Sequence, residues 1–256
     1  MKPDTCIADL GVFRAGGRAS ASADGVLASL SMIDAPAHDV ALKAIAERYP
    51  IVVEHCKPIA KSGGPGRHRG GLGLEVRLRA TAPITISSTL ITDELAGIES
   101  GMDGVATDAL QLRDGMIRFY LETSGRCTAL LLRDDVLMLR IAGGGGRGLS
   151  LDRPIQAVVS DLRAGHINAQ AALFFYGVIV ETESLELDVP ATLKHRATLK
   201  AAMQLPDDLR DAFITDITRD TIARTQPEHL VLQCMLPGCC APRLPFLSGE
   251  RSPRFR

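Results

Sequence analysis

Between Lys61 and Gly73 the chain reads Lys-Ser-Gly-Gly-Pro-Gly-Arg-His-Arg-Gly-Gly-Leu-Gly. From Leu72 onward the residues alternate strictly, with Leu72, Leu74, Val76 and Leu78 on one face and Glu75, Arg77 and Arg79 on the other. A glycine-dense segment running directly into a half-buried strand limits the fold more than any other feature. Glycine has no Cβ, so such a segment can take positive φ and can let backbones approach closely. A dinucleotide-binding fingerprint needs a helix after its glycines, and the strand here excludes it.

The alternation at residues 72–79 predicts an antiparallel strand, and further strands are expected at 51–56, 84–91, 116–121, 127–132 and 136–141. Turn signals separate them at Met102-Asp103-Gly104, Arg113-Asp114-Gly115 and Arg133-Asp134-Asp135. After Gly143, Gly144, Gly145 and Gly146 the period becomes helical, with Ile155, Val158, Val159 and Leu162 bracketed by Pro154 and Gly165. A second helix is expected over 169–176, with Asn168 as N-cap and Gly177 as its stop. Short strands are expected next at 178–181 and 185–189, then helices from Ala191 and from Asp207, each behind a proline. Val40, Ala41, Ala44 and Ile45 could share a face of a helix over 37–48, whereas residues 1–23 show no periodicity and read as a loop leading in from an earlier portion. The class expected is α+β, a β-rich antiparallel module followed by a C-terminal helical segment. It divides into an irregular opening (1–50), the β-rich module with its glycine-rich loop (51–145), a mainly helical segment (146–225) and a disordered tail (226–256).

With 256 residues, 46% of them hydrophobic, the chain can bury a substantial core. A net charge of −1 and a pI near 6.6 lack the basic footprint of nucleic-acid binding, and there is no tryptophan for stacking. No apolar run approaches the length of a membrane-spanning helix, so no membrane partner is expected. The opening Met1-Lys2-Pro3-Asp4 is unlike a secretory signal, so a cytoplasmic location with six cysteine thiols is expected.

For chemistry, Ser62, Gly63, Gly64, Arg67, His68 and Arg69 form the densest group. Two arginines and a histidine among glycines suit a carboxylate, phosphate or carbonyl oxygen, though a tight crossover with solvated arginines would read the same way. Gly144 and Gly145 lie in a second glycine run whose backbone N–H groups could cradle an anion, or which could be a packed connector. That run lacks the Lys-Ser/Thr pair of a phosphate-binding loop. His38, His55, His68, His166, His195 and His229 never fall three or four apart, so no metal ligands are assigned. Cys234, Cys239 and Cys240 with His229 make at most an incomplete zinc pattern. No catalytic nucleophile is nominated.

Three blocks resemble one family. Ile51-Val52-Val53-Glu54-His55 followed by Ser62 to Gly73 is similar to a stretch of hydantoinase B, of the B domain of 5-oxoprolinase, and of acetone and acetophenone carboxylase subunits. Gly143 to Gly148 resembles the family's late glycine run, continued by Ala157-Val158-Val159-Ser160-Asp161-Leu162-Arg163-Ala164-Gly165-His166-Ile167. Tyr176-Gly177-Val178-Ile179-Val180, then Asp188, Ala191, Thr192 and Arg196, close the match. The resemblance spans residues 24–200 and implies the C-terminal half of the family's length. It favours an extended stretch over 37–48, against the helical spacing. Arg147-Gly148-Leu149-Ser150 departs from the family's aromatic-Gly-Asp-Pro sequence.

The resemblance implies an ATP-dependent hydantoinase, N-methylhydantoinase or oxoprolinase that opens a cyclic amide, or a related ketone carboxylase. It implies as partners a hydantoinase A-like ATP-binding subunit and a B-type N-terminal half. ATP and a divalent metal would sit in those partners, none in this chain, and the chain alone would be inactive. A non-catalytic subunit or truncated remnant lacking the metal-bearing half is the alternative.

Overall fold

The computed structural model describes residues 6–31, 38–91, 95–120, 125–181 and 184–204. In chain order these form β1 (Cys6–Arg14), β2 (Ser29–Ser31), α1 (His38–Arg48), β3 (Ile51–Pro58), β4 (Leu74–Ala80), β5 (Ile84–Ile91), β6 (Asp108–Arg113), β7 (Met116–Phe119), β8 (Arg126–Leu131) and β9 (Val136–Ile141). A 3-10 turn at Ser150–Asp152 precedes α2 (Ile155–Arg163), α3 (Ala169–Tyr176) and α4 (Val189–Ala202). The chain divides into two compact units, Met1–Arg153 and Pro154–Arg256. Apart from α1, the strands lie in the first unit and the helices in the second, the segregation that marks the α+β class.

In the first unit the strands form two sheets, ordered β2-β1-β5-β8 and β3-β4-β9-β6-β7. The alternation read in β4 holds: Leu74, Val76, Leu78 and Ala80 are buried, and Glu75, Arg77 and Arg79 face outward. Their buried side joins that of β9 (Leu137, Leu139, Ile141) with Ile84, Ile86 and Leu90 of β5, Cys127, Ala129 and Leu131 of β8, and Ala8, Leu10 and Phe13 of β1 in one hydrophobic core. Burying aliphatic side chains of this size is worth about 1.5–3 kcal/mol each, so this core holds the unit together.

The opening, expected to be irregular, carries β1. This strand runs parallel to β5, whereas the other named strand pairs among the described residues are antiparallel, so the module is mixed and not purely antiparallel. A register shift between Asp9 and Val12, where Gly11 sits at φ 76°, breaks the alternation that would have revealed the strand. Residues 38–48 are helical, as the spacing predicted and against the extended alternative. The core side of that helix is Leu42 and Ile45, and Ala44 is exposed. Strand β6 was not anticipated. It pairs with β7 through a two-residue turn, Asp114 (φ 50°) and Gly115 (φ 76°), the geometry favoured in hairpins.

The glycine-rich segments build a third layer of this unit with no strand in it. Gly64 N–H donates to Gly144 O (2.8 Å), Gly144 N–H to Gly71 O (2.9 Å), Gly71 N–H to Gly17 O (2.9 Å), and Gly17 N–H to Val26 O (2.9 Å). Gly143 and Gly146 turn the other way, to Val105 O (3.1 Å) and Met102 O (2.8 Å). Successive residues of one run thus bond to different neighbours. A β-strand alternates between two sides only, whereas an extended chain with threefold repeat points three ways. The glycines serve this packing by their missing Cβ: one added at Gly70 would lie 1.9 Å from Gly144 O, and one at Gly71 1.7 Å from Val26 O. Neither has positive φ, so close approach, rather than left-handed backbone, is what glycine supplies there.

In the second unit, α2 and α3 pack Val158, Leu162, Ala171, Ala172 and Tyr176 with Val178 and Val180. The expected punctuation is present. Asn168 Oδ1 accepts from Ala171 N–H (2.9 Å), Gly177 is left-handed at φ 60°, and Asp188 Oδ1 accepts from Ala191 N–H (2.9 Å) ahead of α4. The two strands expected at 178–181 and 185–189 reduce to a single bridge between Val180 and Leu187, because Asp188 becomes the cap and Val189 begins the helix. The helix expected from Asp207, the tail from 226, and His229 with Cys234, Cys239 and Cys240 lie outside the described residues. Cys6, Cys56 and Cys127 are thiols that take part in no disulfide.

Candidate functional site

The two glycine runs that the sequence presents as separate features interlock. Ser62, Gly63, Gly64, Arg69, Gly144 and Gly145 are all buried together in the glycine layer. Ser62 closes the loop, donating its hydroxyl to Ile59 O (2.6 Å) and accepting from Gly73 N–H (2.7 Å). The N–H groups of Gly64, Gly143, Gly144 and Gly146 all donate to backbone carbonyls. In the late run, the amides of Gly143, Gly144 and Gly146 are thus held by carbonyls, as a packed connector would hold them.

The arginines differ in environment. Arg69 is 5% exposed, and its guanidinium donates to Gly70 O (2.7 Å) while its backbone N–H donates to Asp24 Oδ1 (2.7 Å). Asp24 also receives a two-pronged pair from Arg153, at 2.7 Å and 2.6 Å, and Arg153 reaches Arg67 O (3.1 Å). The Arg153 side chain is 4% exposed and that of Asp24 33%. Burial pushes the Asp24 carboxyl up, but the hydrogen bond and charge of Arg153, then the N–H and charge of Arg69, outweigh it and hold the group below its ordinary value. Asp24 and Arg153 were not singled out in the sequence. They stand 129 positions apart, and only the Asp-Gly step after Asp24 hinted at a constrained turn.

Arg67 is exposed, and among the described residues its side chain makes no hydrogen bond or ion pair. Its backbone is fixed on both sides: Arg67 N–H donates to Gly148 O (3.1 Å), and His68 and Arg147 exchange N–H···O bonds at 3.0 and 2.9 Å. His68 is half-buried. Arg147 pairs with Glu99 (Nε to Oε2, 2.8 Å), whose carboxyl that hydrogen bond lowers below its usual range despite some desolvation. The site therefore presents one uncommitted guanidinium, Arg67, on a rigid backbone, beside a closed Asp24, Arg69 and Arg153 cluster.

A family model for hydantoinase B/oxoprolinase matches residues 7–150. The chain belongs to that family. The match begins earlier and ends earlier than the 24–200 expected from the motifs. The beta subunit of caprolactamase from Pseudomonas jessenii is 29% identical over 161 residues, 58% of this chain and 26% of its own length. The B subunit of a putative D-/L-hydantoinase of Pseudomonas sp. (strain NS671) is 27% identical over 154 residues, 59% of this chain and 26% of its own. The chain thus spans about a quarter of these relatives, less than the half expected. Its fold resembles a nucleotide-free acetone carboxylase chain (TM-score 0.54, 16% identity, 92% of this chain and 38% of that one). It also resembles ATP-dependent caprolactamase from Pseudomonas jessenii (TM-score 0.55, 21% identity, 72% of this chain and 32% of that one).

Proposed function

We propose that this chain is one piece of the B-type component of a cytoplasmic, ATP-dependent enzyme that opens a cyclic amide, of hydantoinase, oxoprolinase or lactamase kind. A ketone carboxylase is the neighbouring possibility within the family. A hydantoinase A-like ATP-binding subunit and the rest of a B-type polypeptide complete the assembly. The observation that supports a role for this chain is Arg67. It is an exposed guanidinium on a backbone fixed at Gly148, a planar two-pronged donor free to reach a carbonyl or carboxylate oxygen.

ATP and a divalent metal do not fit the described residues. The amides of Gly64, Gly70, Gly71, Gly143, Gly144, Gly146 and Gly148 are committed to carbonyls. Among the described residues no three His, Cys, Asp or Glu side chains converge to hold a metal. Our reading keeps both groups in the partners, and no chemical step is assigned to them in this chain. The same internal commitment of Asp24, Arg69 and Arg153 favours a second reading, in which the chain is a non-catalytic scaffold of the assembly.

The test is reconstitution with an A-type subunit and the rest of a B-type polypeptide, followed by ATP-dependent opening of hydantoin, 5-oxoproline and caprolactam. Arg67→Ala is expected to lower turnover about tenfold or more, the loss of one charge-assisted pair being worth about 1.5–3 kcal/mol. Full activity in the variant would leave the scaffold reading standing.

A further inference from the structure

The outward face of the five-stranded sheet changes character across its width. Cross-strand pairing places Arg77, Met138, Leu110 and Phe119 in one row, and Arg79, Val136, Leu112 and Ile117 in the next. On β4 these rows begin with arginines, which pair with Glu54 (2.7 and 3.0 Å). From β9 outward they are wholly apolar. Phe119 is 77% exposed, Ile117 60% and Leu112 39%, with Met138 and Leu110 half-buried beneath them. A third row, Glu75, Arg140 and Asp108, borders the patch with charge. β7 is the outer strand, with β6 on one side and no strand on the other among the described residues.

Scattered exposed apolar residues are ordinary, but here register gathers three exposed and two half-buried ones on one face at an open edge. An apolar centre with a charged rim is how a protein interface is built. The turn explains why β6 and β7 do not cover the patch themselves. Asp114-Gly115 fixes Ile117 opposite Leu112 and Phe119 opposite Leu110, all pointing away from the core. The same fold supplies an occupant. Its likeness takes in 92% of this chain but only 38% of the acetone carboxylase chain, so in that protein this fold is embedded in a much larger polypeptide.

We infer that this face, centred on Ile117 and Phe119, is the docking surface for the remaining part of a hydantoinase B-type polypeptide. The inference rests on the proposal that the chain works within a B-type assembly, and it names the surface that makes the contact. β7 can add a further strand at its free edge while Phe119, Ile117 and Leu112 enter an apolar pocket of the partner.

The probe is the part of the Pseudomonas jessenii caprolactamase beta subunit that lies outside the matched region, produced separately and titrated with the full chain in sedimentation velocity. The variant Ile117→Asp/Phe119→Asp is expected to weaken binding more than about tenfold, as loss of central aromatic and aliphatic anchors does. Arg118→Ala, on the opposite face of β7, is expected to leave binding unchanged. Unaltered circular dichroism of the double variant checks that it folds, and should it fail to fold, Phe119→Ser alone reports the same contact. The proposal is overturned by equal binding of wild type and variant, by no binding of the probe, or by a wild-type homodimer that the double variant dissociates. A complex that forms through this face but opens no cyclic amide would defeat the functional reading and leave the docking surface in place.

Discussion

Gly144→Ala tests whether the glycine layer is held by proximity of backbones. A Cβ at this position would stand 2.0 Å from Gly17 O, 2.3 Å from Gly17 C and 2.5 Å from Gly16 O. Ordinary contact begins at 3.4 Å, so the segment around Gly17 must retreat by about 1.4 Å (3.4 less 2.0). That retreat breaks Gly71 N–H to Gly17 O and Ala19 N–H to Gly145 O, both 2.9 Å. Two buried backbone pairs left unmade cost about 1–3 kcal/mol each, so the pair together costs about 2–6 kcal/mol. Gly115→Ala is the control in the same unit: it carries left-handed strain at φ 76°, but nothing lies within 4 Å of its Cβ. It should cost about 1–2 kcal/mol. Urea unfolding followed by far-UV circular dichroism suits a chain without tryptophan. A Gly144→Ala midpoint no lower than that of Gly115→Ala would refute the argument from crowding.

Three further outcomes are expected from the same geometry. Asp24 titrates below its ordinary value in the folded chain, so its contribution is complete above that value, near 3.8, and is lost as pH falls through the lower folded value. Asp24→Asn should flatten that acid limb of a stability-against-pH profile and cost about 2 kcal/mol at neutral pH, discounted because the carboxylate is one-third exposed. Arg67→Ala should shift the urea midpoint by no more than about 0.5 kcal/mol equivalent, whereas Arg69→Ala, which empties a buried position, should cost about 1–3 kcal/mol. Val76→Asp should cost several kcal/mol in the same urea experiment and Arg77→Ala under about 1 kcal/mol, since Val76 is fully buried and Arg77 meets Glu54 at the surface.

Strand β4 was legible because its alternation is unbroken from sequence to sheet, and β5 and β9 because they are short runs rich in aliphatic and β-branched residues between turn signals. β6 was not, because its inward residues include Gln111, a polar side chain that reads as solvent-facing. In the folded chain Gln111 is fully buried and donates to Asp135 (2.7 Å), which also holds Arg113, so the cost of burying the polar group is offset by a partner 24 positions away. The glycine runs were visible, and the crowding that requires them was not. Gly70 meets Gly144, and Gly144 meets Gly17, and such encounters between distant segments leave no periodic trace. Arg67 and Arg69 looked equivalent in sequence. Folding separates them, one buried against Gly70 O beside Asp24, the other exposed.

The glycine layer also has a thermal consequence. A sheet sandwich is stabilised chiefly by apolar burial, whose release on unfolding raises the heat capacity by about 0.45 cal/K/mol for each Å² exposed. In the layer where Gly17, Gly64, Gly71 and Gly144 hydrogen-bond to one another, mostly backbone is buried. Exposing peptide groups lowers the heat capacity instead, by about 0.26 cal/K/mol per Å². The first unit should therefore unfold with a smaller heat-capacity increment than its size alone dictates. Its stability curve should be correspondingly flat, holding on cooling where a purely aliphatic core would weaken.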